Sequence, residues 1–140
     1  MRAVKMNKQA ELERRFRERY SVEANDAART VEREVIGADF GANGYTTLQQ
    51  ADILVDRLAL GPESLVLDVG SGRGWPGLYL AERTSCAVFL CDVPLPALNV
   101  ARARARERSL TDRASIIRSS GTNPPFAPHT FDAITHADTL

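Results

Sequence analysis

The sequence predicts an α/β fold: a helical N-terminal third, then short buried strands alternating with helices. Three observations predict it. Leu65-Val-Leu-Asp-Val69 is a brief apolar run that opens onto glycines at 70, 72 and 74. Ala87-Val-Phe-Leu-Cys91 is a second such run, ended by Asp92. Ahead of both, two stretches carry the i, i+3, i+4 apolar spacing of helices.

The elements follow in order. Ala10 to Tyr20 is dense in Glu and Arg with few breakers, as a solvated helix requires. Ala28, Val31 and Val35 form an apolar stripe on the next helix, which Gly37 terminates. Thr47 with Gln50 reads as a capping box, and Ala51, Leu54, Val55 and Leu58 give the buried face of a helix closed by Gly61-Pro62. The first strand then runs into the glycine loop, and Trp75-Pro76 commits the chain to another helix.

The glycines have separate reasons to be there. Gly70 and Gly72 permit a tight turn and close backbone approach, and Gly74 lets the following helix pack against the strand. Such a loop is a nucleotide-cofactor cradle. Asp68, two residues before the first glycine, would repel a pyrophosphate and attract a ligand with a cationic amino-acid end. Asp92 follows about 20 residues after the loop, where an acidic side chain accepts ribose hydroxyls.

Asp68-Val-Gly-Ser-Gly-Arg-Gly74 followed by Asp92 resembles the class I S-adenosylmethionine-dependent methyltransferases, over about Tyr45 to Leu140. The family pattern continues with a helix over Pro96 to Ser109, a strand at Ala114 to Arg118, a loop from Ser119 to Phe126, and a fourth strand from Phe131 to Thr135. The resemblance implies a Rossmann-like three-layer α/β/α sheet of order 3-2-1-4 with helices on both faces. Residues 1–44 form an N-terminal helical cap and 45–140 the cofactor domain. The cofactor is S-adenosylmethionine, and the residues expected around it are Asp68, Gly70, Ser71, Gly72, Gly74, Asp92, Val93, Ser120, Gly121 and Thr135. Ser120 stands where the family usually has an aspartate for the adenine amino group, which implies weaker binding. The cap would fold over the cofactor on a hinge at Gly41 to Tyr45. Tyr45 either reaches the cofactor carboxylate or packs as a loop aromatic.

His136 and Asp138 follow the fourth strand, outside the carboxyl ends where open α/β sheets bind ligands. His136 is the candidate general base toward an acceptor hydroxyl or amine, with a pocket-wall histidine as the alternative. His129 belongs in a surface turn. The methyl acceptor is expected to be a small molecule. The family's sheet has seven strands, and this sequence ends after the fourth. An incomplete or inactive fragment is therefore expected, with its fourth strand an exposed edge open to self-association. Two rivals stand beside the methyltransferase: a cofactor-binding remnant without turnover, and an NAD(P)-dependent oxidoreductase, since Gly72 to Gly77 also fits G-x-G-x-x-G.

Composition excludes other classes. Eighteen basic and eighteen acidic residues cancel, so no global field draws in nucleic acid or an anionic membrane. The arginine ladder from Ala101 to Arg106 spreads around its helix and reads as a solvated face. The opening Met1 to Gln9 lacks the apolar run of a signal peptide, and a cytoplasmic protein is expected. Cys86 and Cys91 have neither metal nor redox spacing, so they read as reduced core thiols and no metal is expected.

Overall fold

The computed structural model describes residues 8, 10–15, 18, 26–37, 40 and 45–137. After the helical residues near the N-terminus come α1 (Asp26–Ile36), α2 (Leu48–Leu58), β1 (Leu65–Val69), α3 (Gly77–Thr84), β2 (Ala87–Asp92), α4 (Leu95–Glu107), β3 (Ala114–Arg118) and β4 (Ala133–His136). The strands form one parallel sheet of order β3-β2-β1-β4.

Register fixes which side chains share a face. Val66 pairs with Val88 and Ala133, and Asp68 with Leu90 and Thr135. Val66, Val88 and Leu90 are packed with Leu78 and Leu80 of α3, Ala101 and Ala105 of α4, and Leu54 and Val55 of α2. Among the described residues, the helices in this core all cover that one face. The reason is handedness: β1 to β2 to β3 steps in one direction, and right-handed crossovers put both connecting helices on the same side. The opposite face carries Phe89, which meets Phe126 and Phe131 edge to face at 5.8 and 5.4 Å between centroids.

A second core joins the cap to α3. Phe40 stacks on Trp75 at 4.4 Å and meets Tyr79 edge-on at 5.5 Å, with Ile36 and Ala51 packed alongside. The Trp75 indole N–H donates to the Thr46 carbonyl at 2.9 Å. The Tyr79 hydroxyl donates to Asp52 at 2.5 Å, and Arg83 bonds both partners. Arg108 lies over the Phe40 ring and pairs with Glu82.

This second core rotates α1 away from its expected orientation. Val31 and Val35 are exposed, and the buried pair is Glu32 and Ile36. The Glu32 carboxylate accepts the Phe40 N–H at 2.7 Å, so the anchoring of Phe40 selects the helix face. Gly37 ends α1 at φ +89°, as expected. In α2 both bonds of the Thr47–Gln50 capping box form, but the left-handed residue that closes the helix is Ala59, not Gly61. The candidate hinge at 41–44, Asp138, and residues 16, 17, 19 and 20 of the charged N-terminal stretch lie outside the described residues; within that stretch residues 10–15 and 18 are helical.

Candidate functional site

The site is assembled where β1 and β2 end. Gly70, Gly72 and Gly74 take φ of +67°, +52° and +98°, the left-handed region that side chains resist. The N–H groups of Gly70 and Ser71 both donate to the Cys91 carbonyl, at 2.8 and 3.2 Å, so the loop hangs from the end of β2. A Cβ on Gly74 would stand 2.5 Å from Leu78 Cδ1, which is the helix-packing role expected of it.

Asp92 clamps this loop. One carboxylate oxygen accepts the Gly72 N–H at 2.7 Å and the other accepts the N–H of Val93 at 2.7 Å. Burial raises its pKa and those two N–H groups lower it. The carboxylate thus orders the cradle as well as bordering it. The hydroxyl of Ser71 is buried and, among the described residues, meets no hydrogen-bond partner.

Asp68 sits beneath the loop, not in its mouth. It is 1% exposed. One oxygen accepts the Thr135 hydroxyl at 2.9 Å and the other accepts the N–H of Gly77 at 3.0 Å. Burial pushes its pKa up to about 7; Thr135 and Gly77 act against that, and the nearby Asp92 charge adds to it. Thr135 is itself buried, so Asp68 and Thr135 form an internal clasp between β1 and β4.

The remaining candidates come from β3 and β4. The Ser120 hydroxyl shares a hydrogen bond with Thr122 Oγ1 at 2.8 Å. A Cβ on Gly121 would fall 2.6 Å from Val69 Cγ1, so that loop lies directly on the end of β1. His136 pairs with Val69 and is exposed, which brings it to the same end of the sheet as the glycine loop. Tyr45 is 82% exposed and does not pack as a core aromatic. His129 is exposed in its turn, and both cysteines are buried free thiols. A cleft of about 330 Å³ opens beside this end, lined by Val93, Pro94, Leu95, Asn99, Arg118 and Glu13. Of the candidate residues only Val93 lines it.

Asp132, read from the sequence as part of the fourth strand, also ties that strand to β1. Asp132 accepts the Leu65 N–H at 2.7 Å while its own N–H donates to the Leu65 carbonyl at 2.9 Å, starting β1 and β4 together. Its signal was a lone carboxylate before an apolar run.

Residues 66–140 match a family model described as a methyltransferase domain. The chain belongs to that family. Its fold is that of the class I S-adenosylmethionine-dependent methyltransferases. Among curated relatives, the methyltransferase GfsG of Streptomyces halstedii is 38% identical over 58% of this chain and 29% of its own length. Erythromycin 3''-O-methyltransferase of Saccharopolyspora erythraea is 28% identical over 86% of this chain and 42% of its own. A solved geranyl diphosphate methyltransferase in complex with GPP and sinefungin is 27% identical, with a TM-score of 0.59 over 63% of this chain and 33% of that one. The chain therefore spans less than half the length of these three relatives. Among the described residues, no helix is long and apolar enough to cross a membrane.

Proposed function

We propose that this chain binds S-adenosylmethionine across the ends of β1 and β2 and serves methyl transfer to a small molecule. The observation that carries the reading is the left-handed glycine loop held by Asp92 through the Gly72 N–H. Three features of the residues present fit the cofactor. Glycines leave the loop backbone open and, among the described residues, the buried Ser71 hydroxyl meets no partner and no cation bonds either carboxylate that holds the loop. The acid Asp68 beneath the loop disfavours a dinucleotide pyrophosphate there, which speaks against the oxidoreductase rival.

When bound, the cofactor supplies a methyl group already activated by its sulfonium. What the protein adds is position. Asp92 would take the ribose diol with its free lone pairs, Ser71 and the Gly121 backbone would hold the nucleoside, and Ser120 would meet adenine once it leaves Thr122. His136 is the candidate base for the acceptor. Orientation of an acceptor at about 3–3.5 Å is worth several kcal/mol without further side-chain chemistry. The names of the relatives favour a small molecule as that acceptor, since one acts on carbon of geranyl diphosphate and another on oxygen of erythromycin. Balanced charge argues against a nucleic-acid acceptor, and two free buried thiols agree with a reducing cytoplasm.

Calorimetric titration with S-adenosylhomocysteine and, separately, NADH tests the proposal. Binding of the first alone is expected; binding of NADH alone would overturn it.

A further inference from the structure

Two carboxylates grip the same loop from opposite ends, and among the described residues no positive side chain bonds to either. Asp92 of β2 holds Gly72, and Asp68 of β1 holds Gly77, where the loop becomes α3. Among the described residues, β4 bonds Asp68 through the Thr135 hydroxyl and α3 through the Gly77 backbone N–H. From β2 come the acid Asp92 and the thiol Cys91, whose pKa burial raises, so it stays neutral near pH 7. His136, next to Thr135, points to the other face of β4.

Resting on the cofactor reading above, we propose that Asp68 is the residue by which this cradle selects for ligand charge: a cationic ligand on the loop ionises the buried carboxyl, whose proton leaves to solvent. The balance is simple. The carboxylic acid becomes a carboxylate and one proton enters the buffer, with no other bond changed. A carboxyl that is 1% exposed pays heavily for its charge until an opposite charge arrives. With its pKa pushed up to about 7 in the free protein, it is protonated in much of the chain just below neutrality. S-adenosylmethionine carries one more positive charge than S-adenosylhomocysteine, so the methyl donor should draw that proton off and the spent product should do so less. The same linkage would favour product release.

The test is calorimetric titration of the full chain with each ligand between about pH 5.5 and 7.5, where the ligand α-amino group stays largely protonated. Running each pH in two buffers of different ionisation enthalpy counts the protons released. For S-adenosylmethionine, affinity should rise up to about tenfold per pH unit below neutrality, then level off, with proton release to match. For S-adenosylhomocysteine both effects should be smaller. Asp68→Asn should bind with a flat pH profile and no release, because its amide can donate to the Thr135 hydroxyl while its oxygen still accepts the Gly77 N–H. Should that variant fail to fold, Thr135→Val serves instead: removing a donor that lowers the Asp68 pKa moves the rise in affinity to higher pH. Binding of both ligands with equal, pH-independent affinity would overturn this inference alone. No binding of either would overturn the cofactor reading beneath it.

Discussion

Substituting Gly77 by alanine tests how tightly the loop, the clasp and the sheet are joined. An added Cβ would stand 2.5 Å from Leu90 Cδ2, 2.6 Å from Asp68 Oδ2 and 3.1 Å from Asp68 Cβ. Neither neighbour has room to yield, since Leu90 is 0% and Asp68 1% exposed. Overpacking of this kind costs about 1–3 kcal/mol. Pushing the carboxylate aside also weakens its bond from the Gly77 N–H, a charge-assisted contact worth about 1.5–3 kcal/mol. Against this, alanine loses less chain entropy, a gain of about 0.4–1 kcal/mol. The net expectation is a loss of about 2–4 kcal/mol, larger than a simple helix-packing glycine implies. Gly61→Ala is the internal control, because nothing lies within 4 Å of its would-be Cβ. Urea denaturation followed by circular dichroism should separate the two variants widely. If Gly77→Ala unfolds within about 0.5 kcal/mol of the parent, the clasp is softer than its geometry implies and the reasoning fails.

Three further outcomes are expected. Asp92→Ala should lose about 2–3 kcal/mol of S-adenosylhomocysteine affinity by titration. Because it also strands the N–H groups of Gly72 and Val93, it should lose about 1–3 kcal/mol of stability in the same denaturation assay; unchanged affinity in folded protein would remove Asp92 from the site. Phe40→Ala should cost about 3 kcal/mol and red-shift the emission of Trp75, the chain's single tryptophan; unshifted emission would mean the cap does not shield that indole. Finally, Asp68 binds its proton more tightly folded than unfolded, so its contribution to stability falls as pH rises from about 4 through about 7. Denaturation midpoints measured across that range should decline, and Asp68→Asn should flatten the decline.

Local pattern read most of this fold, and contacts distant in sequence produced the exceptions. β1 and β3 begin and end where expected and β2 runs one residue past its apolar run, to Asp92, because each is a strand bounded by polar or turn residues. β4 begins two residues later than expected. Phe131 is drawn into the aromatic cluster with Phe89 and Phe126, and Asp132 is spent on Leu65, two contacts that no neighbouring residue announces. The stripe on α1 misled for the same reason: a valine pair predicts the buried face only if nothing stronger competes, and Phe40 with Glu32 competes. At the site, glycine spacing announced the loop's left-handed turns, since only backbone sterics are involved. The depth of Asp68 was not legible, because its burial depends on Thr135, 67 positions away, and on the packing of α3.

The stacking of Phe40 on Trp75 bears on how this family can be recombined. Trp75 belongs to the turn that carries the cradle into α3, yet its ring is covered by the cap and its indole N–H is spoken for by Thr46. A chimera that imported another member's N-terminal segment onto this sheet would therefore arrive with the wrong lining for Trp75, unless it supplied an aromatic at the place of Phe40 and a carbonyl at that of Thr46. Crossovers should be placed ahead of α1 or beyond α3, so that Phe40, Thr46, Trp75 and Tyr79 are inherited together.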